Sequence, residues 1–364
     1  MTEQTNNQIL NQPENNPQPK QNKSKRRKKS TQNYTGKIVF STAGIVIVIL
    51  LIALFIFTVK ENKDLNKEII SLKNEKKEIE KLIPTGEYFY KEDLKNKAIQ
   101  YGLSINLFQK LYPENVVFFG ENGITFQKIN ENLKPNKLYL NKFKQDEKEG
   151  FIYYDEKNNF KAKKGIDVSY FQQEIDWKKV KESGIDFAII RCGYRGYTEG
   201  KLVEDKTFRY NIEGALNNDI DVGIYFFSQA VNTMEAKEEA DFVNDLISEY
   251  NITYPVVFDM EEIYNDEHRT MDLTTEERTD IALAFCEQIE SYDYTPMIYG
   301  NLRWLLENYD TEKIMKYDIW FAQYQKNLYY PYKLDMWQYT HKGKIDGVPT
   351  DVDLNLCFKD YKKK

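Results

Sequence analysis

The hydrophobic pattern divides this chain into five stretches. Residues 1–36 are rich in Asn, Gln, Pro and Lys and hold almost no large aliphatic side chains. Such a stretch cannot bury enough apolar surface to order itself, so a disordered tail is expected. It ends in the basic run Lys23-Ser-Lys-Arg-Arg-Lys-Lys29. The next stretch is the opposite: Ile38 to Val59 is 22 residues without a charge, bounded by Lys37 and Lys60. That length crosses a bilayer core as a helix. The basic run before it sets the N-terminus in the cytoplasm and everything after it outside. The apolar run is too long for the core of a cleaved signal, and Phe57-Thr-Val-Lys-Glu-Asn has no small-residue cleavage site. The expectation is a single-pass anchor over residues 37–60, with the N-terminus cytoplasmic and the C-terminal region on the outer face of the cell membrane.

Residues 61–83 are dominated by Lys, Glu and Asn, and Leu65, Leu72 and Ile79 recur every seven positions. The pattern predicts a helical stalk. It suits either a solvated helix or a short coiled coil, and a weak homodimer through 61–82 follows from the second. Pro84 and Gly86 end it. Residues 84–164 are mixed. Helical patterns at 91–101 and 104–111 precede strands at Val116–Phe119 and Ile124–Ile129, joined across Gly120 and Gly123. A second hairpin is expected from Phe151–Tyr154 to Phe160–Ala162. Together these read as a small α+β spacer.

From residue 165 to 364 the period switches regularly between strand and helix. Apolar runs start near Ile166, Phe187, Val222, Tyr254 and Pro296, and each is followed by a helical pattern. Five such units predict parallel strands with helices outside. Three further strand runs, Ile319–Tyr324, Met336–Thr340 and Val352–Phe358, are too close together for helical crossovers. They should close the structure through short links, some antiparallel. The expected fold class is α/β: a modified (β/α)-barrel of five β/α units and three closing strands.

Charge sharpens this division. Residues 1–164 carry a net +10 and residues 165–364 a net −16. The acidic half excludes nucleic acid as a partner, since that needs a basic face. Cys192, Cys286 and Cys357 are too scattered for a disulfide framework. With His268 and His341 as the only histidines, zinc and Cys/His nucleophilic chemistry have no support, and no metal or organic cofactor is called for. No glycine-rich phosphate loop follows a strand.

The chemistry centres on Tyr254-Pro-Val-Val-Phe-Asp-Met-Glu-Glu262. Asp259 and Glu261 stand two apart at the end of an apolar strand, so both leave on one face. Carboxylates crowded in partly apolar surroundings repel, and one retains a proton near neutral pH. A protonated acid beside an ionised one is what cleavage of a glycosidic bond requires. Glu262 should face away. In barrels with parallel strands the chemistry gathers at the C-terminal strand ends. There stand Asp167, Tyr225, Gln229, Tyr299 and Asn301, with Trp320, Gln323, Trp337 and Gln338 on the closing strands and Asp351 and Asp353 at the start of the last. Acids, amides and ring faces together suit a carbohydrate. Trp177 and Trp304, in helical patterns, read as packing residues.

Six segments in order resemble glycoside hydrolase family 25, the bacterial and phage muramidases. They are Gly165-Ile-Asp-Val-Ser169 with Ile175-Asp-Trp177, Ala188-Ile-Ile-Arg-Cys-Gly-Tyr194, Gly223-Ile-Tyr-Phe-Phe-Ser228, Pro255-Val-Val-Phe-Asp-Met-Glu261, Pro296-Met-Ile-Tyr299, and Met336-Trp-Gln-Tyr-Thr340 with Gly347 and Asp351-Val-Asp-Leu-Asn355. The resemblance covers residues 165–358. It implies Glu261 as general acid/base, Asp259 as its partner carboxylate, and Asp167 and Asp353 as further acids of the cleft. It implies peptidoglycan glycan strands as substrate, cut at the β-1,4 bond between N-acetylmuramic acid and N-acetylglucosamine. A catalytically silent wall-binding scaffold and a hydrolase of another amino sugar polymer are the rival expectations.

Overall fold

A computed structural model of the chain describes residues 105–145, 151–154, 162–263, 267–324 and 328–362, and helical backbone at Lys60, Lys63, Lys67, Ile70, Lys73, Lys95 and Asn96. The tail, the Ile38–Val59 anchor and most of the heptad stretch lie outside these residues. No helix among the described residues is long and apolar enough to cross a membrane. The chain divides into two compact units, Met1–Pro84 and Thr85–Lys364. The second unit holds all of the described strands.

That unit opens with α1 (Ile105–Leu111) and a hairpin of β1 (Asn115–Gly120) and β2 (Gly123–Lys128). Phe108 and Tyr112 pack edge-on against Phe126 at 5.6 and 5.0 Å, closing a small core of their own. Next come β3 (Phe143–Gln145) and β4 (Ile152–Tyr154), which pair antiparallel. The expected second hairpin from 151–154 to 160–162 has its turn and most of its second strand outside the described residues; among those described, 152–154 pairs backward with 143–145.

The rest is a barrel. In order it contains β5 (Lys163–Val168), α2 (Trp177–Glu182), β6 (Phe187–Arg195), β7 (Leu202–Glu204), α3 (Phe208–Asn217), β8 (Asp221–Phe227), α4 (Thr233–Ile247), β9 (Val256–Asp259) and α5 (Thr275–Ser291). Then follow β10 (Pro296–Asn301), a π-helical turn at Trp304–Asn308, α6 (Thr311–Ile314), β11 (Asp318–Ala322), β12 (Met336–Gly343) and β13 (Val352–Cys357). Around the barrel the strand order is β5, β6, β8, β9, β10, β11, β12, β13 and back to β5, with β7 added alongside β6. All neighbours from β5 to β12 are parallel, and β13 is antiparallel to both its neighbours. The link from β11 to β12 is thus a parallel crossover whose described residues hold no helix. Gln323 braces it: its backbone N–H donates to Gln338 O at 3.0 Å, and its Oε1 accepts from Tyr329 N at 2.9 Å.

The strands are apolar on both faces because both are covered. The outer faces meet the helices in one large core, and the inner faces fill the barrel. Helix starts are set locally: Thr274 and Glu277 cap α5 reciprocally, and Asn232 accepts from Glu235 N at α4. Inside, Phe187 stacks on Tyr254 at 4.5 Å. Gly165 is required there, since a Cβ would overlap the Phe187 ring. Below it Tyr361 packs on Tyr254 at 5.3 Å and donates to Asp318 at 3.0 Å, so the end of the chain closes the barrel floor.

The segment before the barrel packs on the outer side of β12 and the end of β13. The Phe143 ring lies 5.2 Å from Trp337 and 6.0 Å from Phe358. Tyr154 lies 5.6 Å from Phe358, and Asn136 N donates to Pro331 O at 2.8 Å. The described residues at 136–145 and 151–154 pack on the outer wall of the barrel, as an apolar sheet face must be buried by something.

Candidate active site

Period-two alternation carries one row of side chains to the barrel mouth. Asp167 is the last residue but one of β5, Asp259 ends β9, and Asp353 lies directly opposite Asp167 in the pairing of β13 with β5. Glu261 follows two residues after β9 and lines the same cleft with Asp167, Asp259, Asp353, Tyr225 and Arg191. The cleft encloses about 600 Å³.

Asp167 is held by a chain of donors. Its Oδ2 accepts from Gln338 Nε2 at 2.9 Å and from Asn355 Nδ2 at 2.7 Å. Asn355 Oδ1 accepts from Trp320 Nε1 at 2.8 Å, and Gln338 Oε1 accepts from Tyr299 OH at 3.0 Å and Tyr324 OH at 2.8 Å. Both amides are thereby fixed with their N–H groups toward Asp167. Asp259 is 5% exposed, and its Oδ1 is buried with no hydrogen-bond partner among the described residues.

Four carboxyls in one cleft cannot all ionise easily. Burial pushes Asp167 up to about 6 against the pull of Asn355 and Gln338. It pushes Glu261 up to about 7, with the charge of Asp167 adding to it. Asp353 rises to about 8 through burial and then through Asp167. Asp259 is raised well above the usual carboxylate range, by burial first and then by Glu261 and Asp167, while Arg191 opposes. Burial is the largest cause for both members of the Asp259–Glu261 pair, and their mutual repulsion and the charge of Asp167 add to it. Asp259 is the most deeply buried of Asp259, Glu261 and Asp353. Glu261 and Asp353 are half-buried in the same cleft.

One wall was not foreseen. Ser169 starts a turn in which its Oγ accepts from Phe171 N and its own N–H donates to Gln172 Oε1 at 3.0 Å. The turn presents Tyr170 and Phe171, 40% and 60% exposed, with ring centroids 4.1 Å apart. Arg191 lies beneath, its guanidinium 5.0 Å from the Tyr170 ring and 5.6 Å from the Tyr194 ring. It is fixed by Asp205, whose Oδ2 accepts from Nε at 2.7 Å. Tyr197 and Lys206 extend this side. The signal for Arg191 was present in the sequence: Phe187, Ile189 and Arg191 alternate, so a charge occupies an inward position of a buried strand.

Several expected cleft residues lie elsewhere. Gln229 is fully buried, its Nε2 donating to Ser228 O at 2.8 Å and its Oε1 accepting from Thr270 Oγ1 at 3.3 Å. It braces the turn after β8 and does not line the cleft. Trp337 points outward into the core with Phe143, because neighbouring Gln338 points inward. Trp320 and Tyr299 lie inside the barrel, 4.8 Å apart, beneath the acids. Gln323 serves the β11–β12 link, and Asn301 Oδ1 accepts from Trp304 N at 2.9 Å. Asp351 pairs with Lys344 at the surface. Glu262 turns away to Arg303 at 2.9 Å.

Residues 166–348 match the family described as Glycosyl hydrolases family 25. Lysozyme M1 of Streptomyces globisporus is 29% identical over 201 residues, covering 52% of this chain and 66% of that protein. The autolytic lysozyme of Clostridium acetobutylicum is 24% identical over 195 residues, covering 53% and 55%. The chain thus spans less than two thirds of the length of these relatives. Among solved structures, the modular autolysin LytC from Streptococcus pneumoniae, in complex with synthetic peptidoglycan ligand, superposes with a TM-score of 0.50 at 23% identity. That likeness covers 67% of this chain and 56% of LytC, and it concerns the fold.

Proposed function

The chain belongs to glycosyl hydrolases family 25, and from that membership we propose that it is a peptidoglycan hydrolase. It cuts the β-1,4 bond between N-acetylmuramic acid and N-acetylglucosamine. The observation that carries this reading is the convergence of Asp167, Asp259, Glu261 and Asp353 on one cleft beside an exposed pair of aromatic rings.

In this reading the sugar lies against Tyr170 and Phe171, whose faces suit its C–H surface. Glu261 gives its proton to the glycosidic oxygen as the bond breaks. Positive charge then develops at the anomeric carbon, and that charge favours an ionised Asp259, as Arg191 already does. Asp259 attacks that carbon or steadies a ring closed by the substrate's own N-acetyl oxygen; either route retains configuration. Water then completes the reaction, with Glu261 as base. Asp167, held by Gln338 and Asn355, keeps Glu261 protonated until it is needed.

The anchor reading belongs to the same proposal. The uncharged run Ile38–Val59, with the basic residues before it, supports an enzyme tethered outside the membrane and acting on wall within reach of its stalk.

The test is to incubate the protein and its Glu261→Gln variant with peptidoglycan, reduce with borohydride and identify the new ends by mass spectrometry. Muramitol ends from the parent alone support the reading. Glucosaminitol ends would shift the bond assignment, and no release from a folded parent would favour a wall-binding scaffold.

A further inference from the structure

Glu261 is aimed by its neighbours. Among the described residues its carboxyl takes no hydrogen bond, and it lies beyond the last residue of β9. Its direction therefore depends on how the backbone on either side is held. Before it, Met260 is fully buried. After it, Glu262 Oε2 accepts from Arg303 Nη1 at 2.9 Å.

Arg303 is itself held. Its Nε faces Glu307 Oε2 at 3.4 Å, one turn along the π-helical segment. Glu307 reaches further, to the turn of the β1–β2 hairpin. Its Oε2 accepts from Glu121 N at 3.2 Å and its Oε1 from Thr125 Oγ1 at 3.2 Å. Gly120 makes the approach possible, since a Cβ there would overlap the Glu307 carboxylate. The hairpin lies before the family-matched residues 166–348.

These ion pairs are partly exposed, with Arg303 31% and Glu262 39% accessible. Pairs of this kind add little stability. Their effect is geometric: they fix a residue adjacent to the acid, where a misplacement of about 1 Å can cost roughly a hundredfold in rate.

We propose that the β1–β2 hairpin is a positioning element for Glu261, acting through Glu307, Arg303 and Glu262. The proposal rests on reading Glu261 as the acid. It adds that the catalytic geometry depends on a segment outside the family-matched residues.

The experiment compares the full chain with Arg303→Met, Arg303→Lys, Thr125→Val and Gly120→Val, measuring kcat, KM, the pH profile and the melting temperature. Arg303→Met and Gly120→Val should lower kcat about tenfold or more while KM stays within about twofold. Melting should stay within a few degrees, as expected for exposed pairs. Arg303→Lys should recover most of the rate, since one ammonium can still reach Glu262. Thr125→Val, which keeps the hairpin's shape, repeats the kcat loss more weakly and serves if Gly120→Val unfolds. Unchanged kcat in Arg303→Met, or a loss that tracks melting, overturns the proposal. If the parent itself releases no product, the Glu261 reading has failed, and backbone hydrogen exchange at 260–263 decides the positioning claim. Faster exchange in Arg303→Met and Gly120→Val supports it, and unchanged exchange overturns it.

Discussion

Asp353 stands directly across from Asp167 in the antiparallel pairing of β13 with β5. Residues so placed have Cβ atoms about 5 Å apart, and like charges there destabilise the sheet. Both carboxyls are raised, to about 8 and about 6. A carboxyl raised on folding binds more protons in the folded state. Its contribution to stability is full below the unfolded value near 4 and is lost as pH rises to the folded value. Asp353→Asn should therefore gain melting temperature relative to the parent at pH 8 and gain less, or lose, at pH 5. Thermal unfolding at the two values checks this; the reverse ordering would remove Asp353 from the buried cluster.

Glu261→Gln should lower kcat by about a hundredfold to ten-thousandfold, the usual weight of a general acid, with little change in melting. Substrate binding should survive, since the amide keeps the shape. Progress curves on soluble glycan fragments, with circular dichroism as the fold check, decide it.

The rate should fall as pH rises through about 7, where Glu261 loses its proton. Removing the charge of Asp167 by substitution with Asn takes away a neighbour that raises Glu261, so the descending limb should move to lower pH. A profile that does not move would show that burial alone sets the value.

Phe171→Ala should raise KM by about two- to tenfold with kcat nearly unchanged, the size of one lost ring contact. Trp337→Ala is the contrasting case. It should cost about 3–5 kcal/mol of stability, as large core truncations do, and leave KM of the surviving enzyme alone. Chemical denaturation and steady-state kinetics on the same samples separate the two.

Much of this was legible in the sequence because the barrel is locally specified. The five β/α units and the Asp259–Glu261 pair follow from apolar runs, and the register of period two carried Asp167, Tyr225 and Asp353 to the same mouth. The failures have separate causes. Trp337 and Gln338 are adjacent, so only one can face inward, and composition alone does not say which; the donor that Asp167 needs settles it. Gln229 and Gln323 look like ligand-facing amides, yet each satisfies backbone groups of a turn or link. The covering role of Phe143 and Tyr154 is a long-range contact with strands about two hundred positions later, invisible to any local period.

The floor of the barrel has a consequence for how a long substrate meets this protein. With Phe187, Tyr254, Trp320 and Tyr361 packed beneath the acids, the interior of the barrel is filled. A polymer cannot be threaded through it and has to lie across the opening. For the proposed hydrolase this means that no chain end needs to enter the barrel.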